Sequence, residues 1–66
     1  MKRLTRLKEL RTDALLTQAG LAQKAGLASE TVRLVETGKR EAQAETIQKI
    51  ADALGVEPKE LWREEK

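Results

Sequence analysis

Residues 16–40 read LTQAGLAQKAGLASETVRLVETGKR, and the tetrapeptide AGLA occurs in them twice, at 19–22 and at 25–28. Either the chain repeats itself or its two glycines play opposite parts. Thr17 stands before Gln18 as an N-cap would, with a hydroxyl that accepts from an otherwise unpaired backbone N–H. From there Leu21, Ala22 and Ala25 share one side of a short helix over residues 18–25. Gly20 then lies inside that helix, at a cost of about 1 kcal/mol relative to Ala. Gly26 falls just past its end, where a left-handed residue is wanted. After Leu27 and Ala28, residues 29–36 read as another helix, with Val32 and Val35 turned inward and Gly38 as its stop.

The same logic extends in both directions. Leu4, Leu7 and Leu10 give one apolar stripe to a first helix from about Lys2 to Asp13. Lys39 to Gln43 is a polar connection. A fourth helix starts at Ala44 or Glu45, repeats Ile47, Ile50, Ala51 and Leu54 on one face, and closes at Gly55. Pro58 suits the first turn of a short fifth helix carrying Leu61 and Trp62, because that turn leaves its N–H groups unpaired anyway. Ten Leu and nine Ala against three Val and two Ile suit helices, and no strand pattern is visible. The expectation is an all-α bundle of five short helices, a single domain over residues 1–66 with no linker or internal repeat.

Composition narrows the function. With no Cys and no His, thiol chemistry and the usual zinc sites are excluded, and nothing signals an oxidising compartment. The single Ser29 has no His to activate it, no Gly-rich phosphate loop or metal-binding spacing occurs, and the carboxylates scatter along helix faces, so catalysis, metal and cofactor are not expected. The basic N-terminus is interrupted by charges and offers no continuous apolar run, so neither a signal peptide nor a membrane span is read. The formal charge of +2 hides an asymmetry: residues 1–40 carry nine Lys or Arg against four Asp or Glu, or +5, and residues 41–66 carry four against seven, or −3. A basic portion of this kind suits a polyanion.

Two short helices joined by a Gly-containing turn, the second with a polar face beside a basic loop, form a helix-turn-helix arrangement. With Val32 and Val35 inward, Ser29, Glu30 and Arg33 share the outer face of the third helix and can reach base edges together. Arg33 is the first choice for base reading, since a guanidinium pairs bidentately with guanine O6 and N7. Glu30 can accept from cytosine N4, repel phosphate, or serve only as an acid favoured at a helix start.

Leu16-Thr17-Gln18, Leu21-Ala22, Gly26, Val32, Glu36-x-Gly38-Lys39 and IADALGV at 50–56 together resemble the lambda-repressor-like helix-turn-helix family, the Cro and repressor type also called XRE. The resemblance spans roughly residues 4–62. It implies sequence-specific binding of double-stranded DNA by a transcriptional regulator, with the helix at about 29–36 in the major groove. It further implies phosphate contacts from Gln18 and from the loop residues Thr37, Lys39 and Arg40, with Thr31 assigned beside them. Arg11 and Glu36 correspond to an Arg and a Glu that bridge the first and third helices in related repressors. Family members bind as dimers on half-sites about 34 Å apart, which implies a homodimer, for which Leu61 and Trp62 are the candidate contacts; Trp62 can equally cover the end of the core. A cytoplasmic regulator with no small-molecule ligand is expected.

Three positions depart from the family pattern. Leu15 stands where the first helix normally ends in Gly, so that helix end is strained or the connection differs. Ala28 offers no capping oxygen, and Ser29 can take the role one position later. Leu34 occupies a position often polar in the family; it can touch a thymine methyl, pack against the first helix, or stand exposed. The competing reading keeps the fold and turns it to a protein partner, as an antitoxin-like or coactivator-like module, with Leu15, Leu34 and Trp62 as the apolar surface.

Overall fold

The computed structural model describes residues 4–62. It contains four α-helices and one 3-10 turn: α1 Leu7–Asp13, α2 Gln18–Ala25, α3 Ser29–Glu36, α4 Ala44–Leu54 and the turn η1 Pro58–Leu61. Helix α2 packs against both α3 and α4, and η1 closes against α4. The core between them is entirely apolar and includes Leu7, Leu21, Val32, Val35, Ile50 and Leu61, each 2% exposed or less.

Two expectations about element bounds are corrected. The first helix begins at Leu7 rather than near Lys2, which lies outside the described residues. Arg6 at its N-cap position donates its backbone N–H to the Leu61 carbonyl at 3.0 Å, so the chain entering α1 is tied to the C-terminal turn before the helix starts. The expected fifth helix is a single 3-10 turn of four residues. A capping box starts it, in which Glu60 Oε2 accepts from the Glu57 backbone N–H at 3.0 Å. Trp62 then leaves it in an extended conformation, with φ −131° and ψ 159°, so only one turn forms.

All four α-helices stop in the same way. A residue one (α2, α4) or two (α1, α3) positions past each end adopts a left-handed backbone, and the next N–H reaches back five residues: Leu16 to the Arg11 carbonyl at 3.2 Å, Leu27 to Ala22 at 2.8 Å, Lys39 to Leu34 at 3.0 Å and Val56 to Ala51 at 3.0 Å. This is the Schellman arrangement, which satisfies carbonyls the helix cannot. Three of the left-handed residues are glycines; the fourth is Leu15, with φ 61° and a side chain 92% exposed. The connection after α1 therefore keeps the geometry that Gly serves, with a Cβ forced into it.

Gly20 has a reason of a different kind. Thr17 Oγ1 accepts from the Gly20 backbone N–H at 2.9 Å. A Cβ at position 20 would meet that same oxygen at 3.1 Å. The glycine inside α2 leaves room for the hydroxyl that caps α2. The two AGLA copies thus differ in structure, the first inside a helix and the second carrying its turn at Gly26, with φ 72°.

Candidate nucleic-acid interface

Helix α3 has two faces. Val32 and Val35 are buried at 0% and 2%, while Ser29, Glu30 and Arg33 are exposed on the opposite side. Its start carries no side-chain cap. The Ala28 carbonyl accepts from Thr31 at 3.0 Å and from Val32 at 3.3 Å. Ser29 is the first helical residue and does not take over the capping role, which corrects that expectation; its hydroxyl stays on the exposed end of the helix.

A half-buried polar knot holds α3 on the bundle. Arg11 Nε donates to Glu36 Oε1 at 2.7 Å and Arg11 Nη2 to Glu36 Oε2 at 3.0 Å, a two-pronged fork. Arg11 Nη1 donates to the Leu16 carbonyl at 2.6 Å. The side chains of Arg11 and Glu36 are 12% and 5% exposed. Burial by itself drives the Glu36 carboxyl upward. The hydrogen bonds from Arg11 and Gln18 and the positive charges of Arg11 and Lys8 outweigh it, and hold Glu36 below the ordinary value of 4.5. The Arg11 guanidinium is correspondingly held upward, first by its hydrogen bond to Glu36. One guanidinium thus joins the end of α1, the loop carrying Leu16 and the last turn of α3.

Gln18 opens α2 and is half-buried. Its Nε2 donates to Glu36 Oε2 at 3.2 Å. A primary amide has a second N–H and a carbonyl oxygen, so this bond fixes the side chain without using it up. No local pattern signals the bond, because eighteen residues separate the partners and only tertiary packing brings them together.

The outer face carries a second fork. Arg33 Nε donates to Glu30 Oε1 at 3.2 Å and Arg33 Nη2 to Glu30 Oε2 at 2.6 Å. The Glu30 carboxyl lies below its ordinary value because of the hydrogen bond from Arg33 and, next, the charge of Arg33. Residue type alone assigns Glu30 and Arg33 separate roles at the base edges. Their spacing of three residues on a helix was the signal that they meet.

The loop after α3 places the remaining residues. The Thr37 hydroxyl donates to the carbonyls of Arg33 at 2.9 Å and Leu34 at 3.3 Å, so its proton serves the helix end while the oxygen of this exposed residue keeps its capacity to accept. Lys39 and Arg40 are exposed, and their backbone N–H groups both reach the Leu34 carbonyl. Thr31 is half-buried and, with Arg40 and Gln43, lines a cleft of about 350 Å³ between α3 and the start of α4. Leu34 is half-buried but takes no part in the core cluster. Of the two candidate dimer contacts, Leu61 is 0% exposed and has no surface left to offer. Trp62 is half-buried and packs against the core. Among the described residues, no group of three or more acidic side chains is placed to hold a metal ion, and no helix is long and apolar enough to cross a membrane.

The helix-turn-helix family model matches residues 7–61. The crystal structure of the restriction-modification controller protein C.AhdI from Aeromonas hydrophila is similar to this chain, with a TM-score of 0.83 and 46% sequence identity over 86% of each chain. No curated protein matches.

Proposed function

The chain belongs to the helix-turn-helix family, and from that membership we propose that it binds double-stranded DNA sequence-specifically as a transcriptional regulator. One observation carries this reading. The exposed polar face of α3 is flanked by the exposed Lys39 and Arg40, while its other face and its C-terminal end are locked by Val32, Val35 and the Arg11–Glu36 fork. A helix so held is a rigid reading head beside a phosphate-binding loop. The similarity to a restriction-modification controller protein at 46% identity supports a regulatory role.

In this reading α3 enters the major groove. Arg33 reads a guanine, with Ser29, Glu30 and Leu34 beside it at the base edges. Gln18, Thr31, Thr37, Lys39 and Arg40 hold the sugar-phosphate backbone and set the register. The Arg11–Glu36 pair is structural. Residues 1–66 act as one binding domain that functions as a homodimer, with Trp62 rather than Leu61 offering surface to the second copy, and work in the cytoplasm.

Selection of bound duplexes from a random pool tests the proposal. The expected result is a motif enriched at low salt, whose affinity falls with salt at a slope of about −0.9 per phosphate contact. A pool that stays random at low salt would refute it and favour the protein-partner reading, for which the exposed Leu15 is the available apolar side chain.

A further inference from the structure

The fork between Glu30 and Arg33 bears on how a base is read. Arg33 lies one helical turn after Glu30, and helical side chains lean toward the N-terminus of their helix. The guanidinium is thereby brought over Glu30, toward the end of α3 that meets base edges in helix-turn-helix docking. A guanidinium has two edges able to make paired hydrogen bonds: a side edge formed by Nε and one Nη, and an end edge formed by the two Nη atoms. The side edge of Arg33 is occupied by Glu30, through Nε at 3.2 Å and Nη2 at 2.6 Å. Nη1 has no acceptor among the described residues. The end edge therefore stays open, with both Nη1 protons and the second Nη2 proton unused, and it is an edge that matches guanine O6 and N7.

We propose that Glu30 is a positioning residue that grips the side edge of Arg33 and presents its end edge to guanine, so that Glu30 sets base discrimination at a cost in overall affinity for DNA. The inference rests on the DNA-binding reading above. It gives the carboxylate a role besides accepting from cytosine, repelling phosphate or favouring the helix start. A free Arg33, on a long side chain beside a polyanion, would settle on the nearest phosphate and lose sequence information. Held by Glu30 it cannot turn its side edge to phosphate, and the adjacent negative charge weakens binding to the backbone of any duplex. The surroundings fit this use. Both side chains remain accessible, at 65% for Glu30 and 45% for Arg33, so a base edge can approach the pair.

The enriched duplex from the selection supplies the probe. Each guanine in it is replaced in turn by 7-deazaguanine, which keeps O6 and the Watson–Crick face and lacks the N7 acceptor. The guanine read by Arg33 is the one whose replacement weakens the wild-type protein and not Arg33→Ala. At that guanine the wild-type penalty is expected to be about tenfold. In Glu30→Ala it should fall below about threefold, while a random duplex is bound more tightly than by wild type. Glu30→Gln keeps an oxygen that accepts from the side edge but lacks the charge. It should tighten random-duplex binding as Ala does and recover part of the 7-deazaguanine penalty. Thermal melts of the four proteins separate these effects from unfolding. An undiminished penalty in Glu30→Ala, with both duplexes tightened by one common factor, would overturn the positioning role and leave Glu30 a mere repeller of phosphate. The same role is overturned if Gln and Ala give identical penalties, or if no guanine loses its penalty in Arg33→Ala. A wild-type pool that enriches nothing removes the DNA-binding reading itself, and this inference with it.

Discussion

Leu15→Gly is expected to stabilise the protein. At φ 61° Leu15 holds the left-handed conformation that ends α1, and its Cβ crowds the carbonyl that follows. That crowding costs about 1–2 kcal/mol. The leucine side chain offers no compensation from burial, being 92% exposed. Gly removes the crowding but gives the unfolded chain more freedom, which returns about 0.4–1 kcal/mol. The mid-points of these ranges leave a net gain of about 0.8 kcal/mol, which in a domain of this size moves Tm upward by about 3–6 °C. Urea titration followed through Trp62 measures it, since Trp62 is the only tryptophan and packs against the core. Leu15→Ala is the control. It removes the exposed apolar atoms and keeps the Cβ, and should stay within about 0.5 kcal/mol of wild type. If Leu15→Gly is no more stable than Leu15→Ala, the strain assigned to this helix end is absent and the reasoning fails.

Three further outcomes follow from the geometry. Arg11→Ala leaves the Glu36 carboxylate, 5% exposed, without its main partner, and should cost about 3 kcal/mol, as loss of one member of a buried pair does; a Tm equal to wild type would remove the structural role of the fork. Glu36 titrates below its ordinary 4.5 in the folded protein, so its contribution to stability is complete above pH 4.5 and is lost as pH falls through the lower folded value. Glu36→Gln should therefore show a smaller drop in urea midpoint over that acid range than wild type; equal drops would place the acid sensitivity elsewhere. Replacing Lys39 and Arg40 together by Ala should lower the salt slope of DNA binding by about 2, one phosphate each, whereas an unchanged slope would show that neither touches the backbone.

The parts of the molecule that sequence made legible are those in which a short stretch decides its own conformation. Thr17 with Gln18 marks the start of α2, and Gly26, Gly38 and Gly55 mark three helix ends, because a cap or a left-handed residue acts within a turn of its own position. The start of α2 and the ends of α2, α3 and α4 follow from them. Where the local signal is weak, the sequence misleads. The leucine stripe reaches from Leu4, yet α1 begins at Leu7, because Arg6 is bonded to Leu61 from the far end of the chain. Pro58 announces a helix start correctly, but too few residues follow in helical conformation for more than one 3-10 turn. Leu15 shows the converse: the turn forms without its usual residue, because Leu16 and Arg11 close it from either side.

At the candidate interface, residue types and the outward face of α3 could be read from periodicity, but the pairings could not all be. The Gln18–Glu36 bond depends on how α2 and α3 pack, which no local pattern specifies. The burial of Leu61 depends on where η1 closes against α4, and a four-residue turn has no periodicity from which to infer it. Glu30–Arg33 was readable from spacing and carries the more consequential geometry, since it decides which edge of the guanidinium remains for DNA.

The most direct test is an anisotropy titration of the selected duplex and a scrambled duplex of equal length, with wild type and Arg33→Ala side by side at low and physiological salt. Wild type should prefer the selected duplex by about 10³-fold or more. Arg33→Ala should lose about five- to a hundredfold of that preference, and both proteins should weaken with salt. Equal binding of the two duplexes by wild type, or a preference that survives intact in Arg33→Ala, would contradict the claim that α3 reads DNA through Arg33.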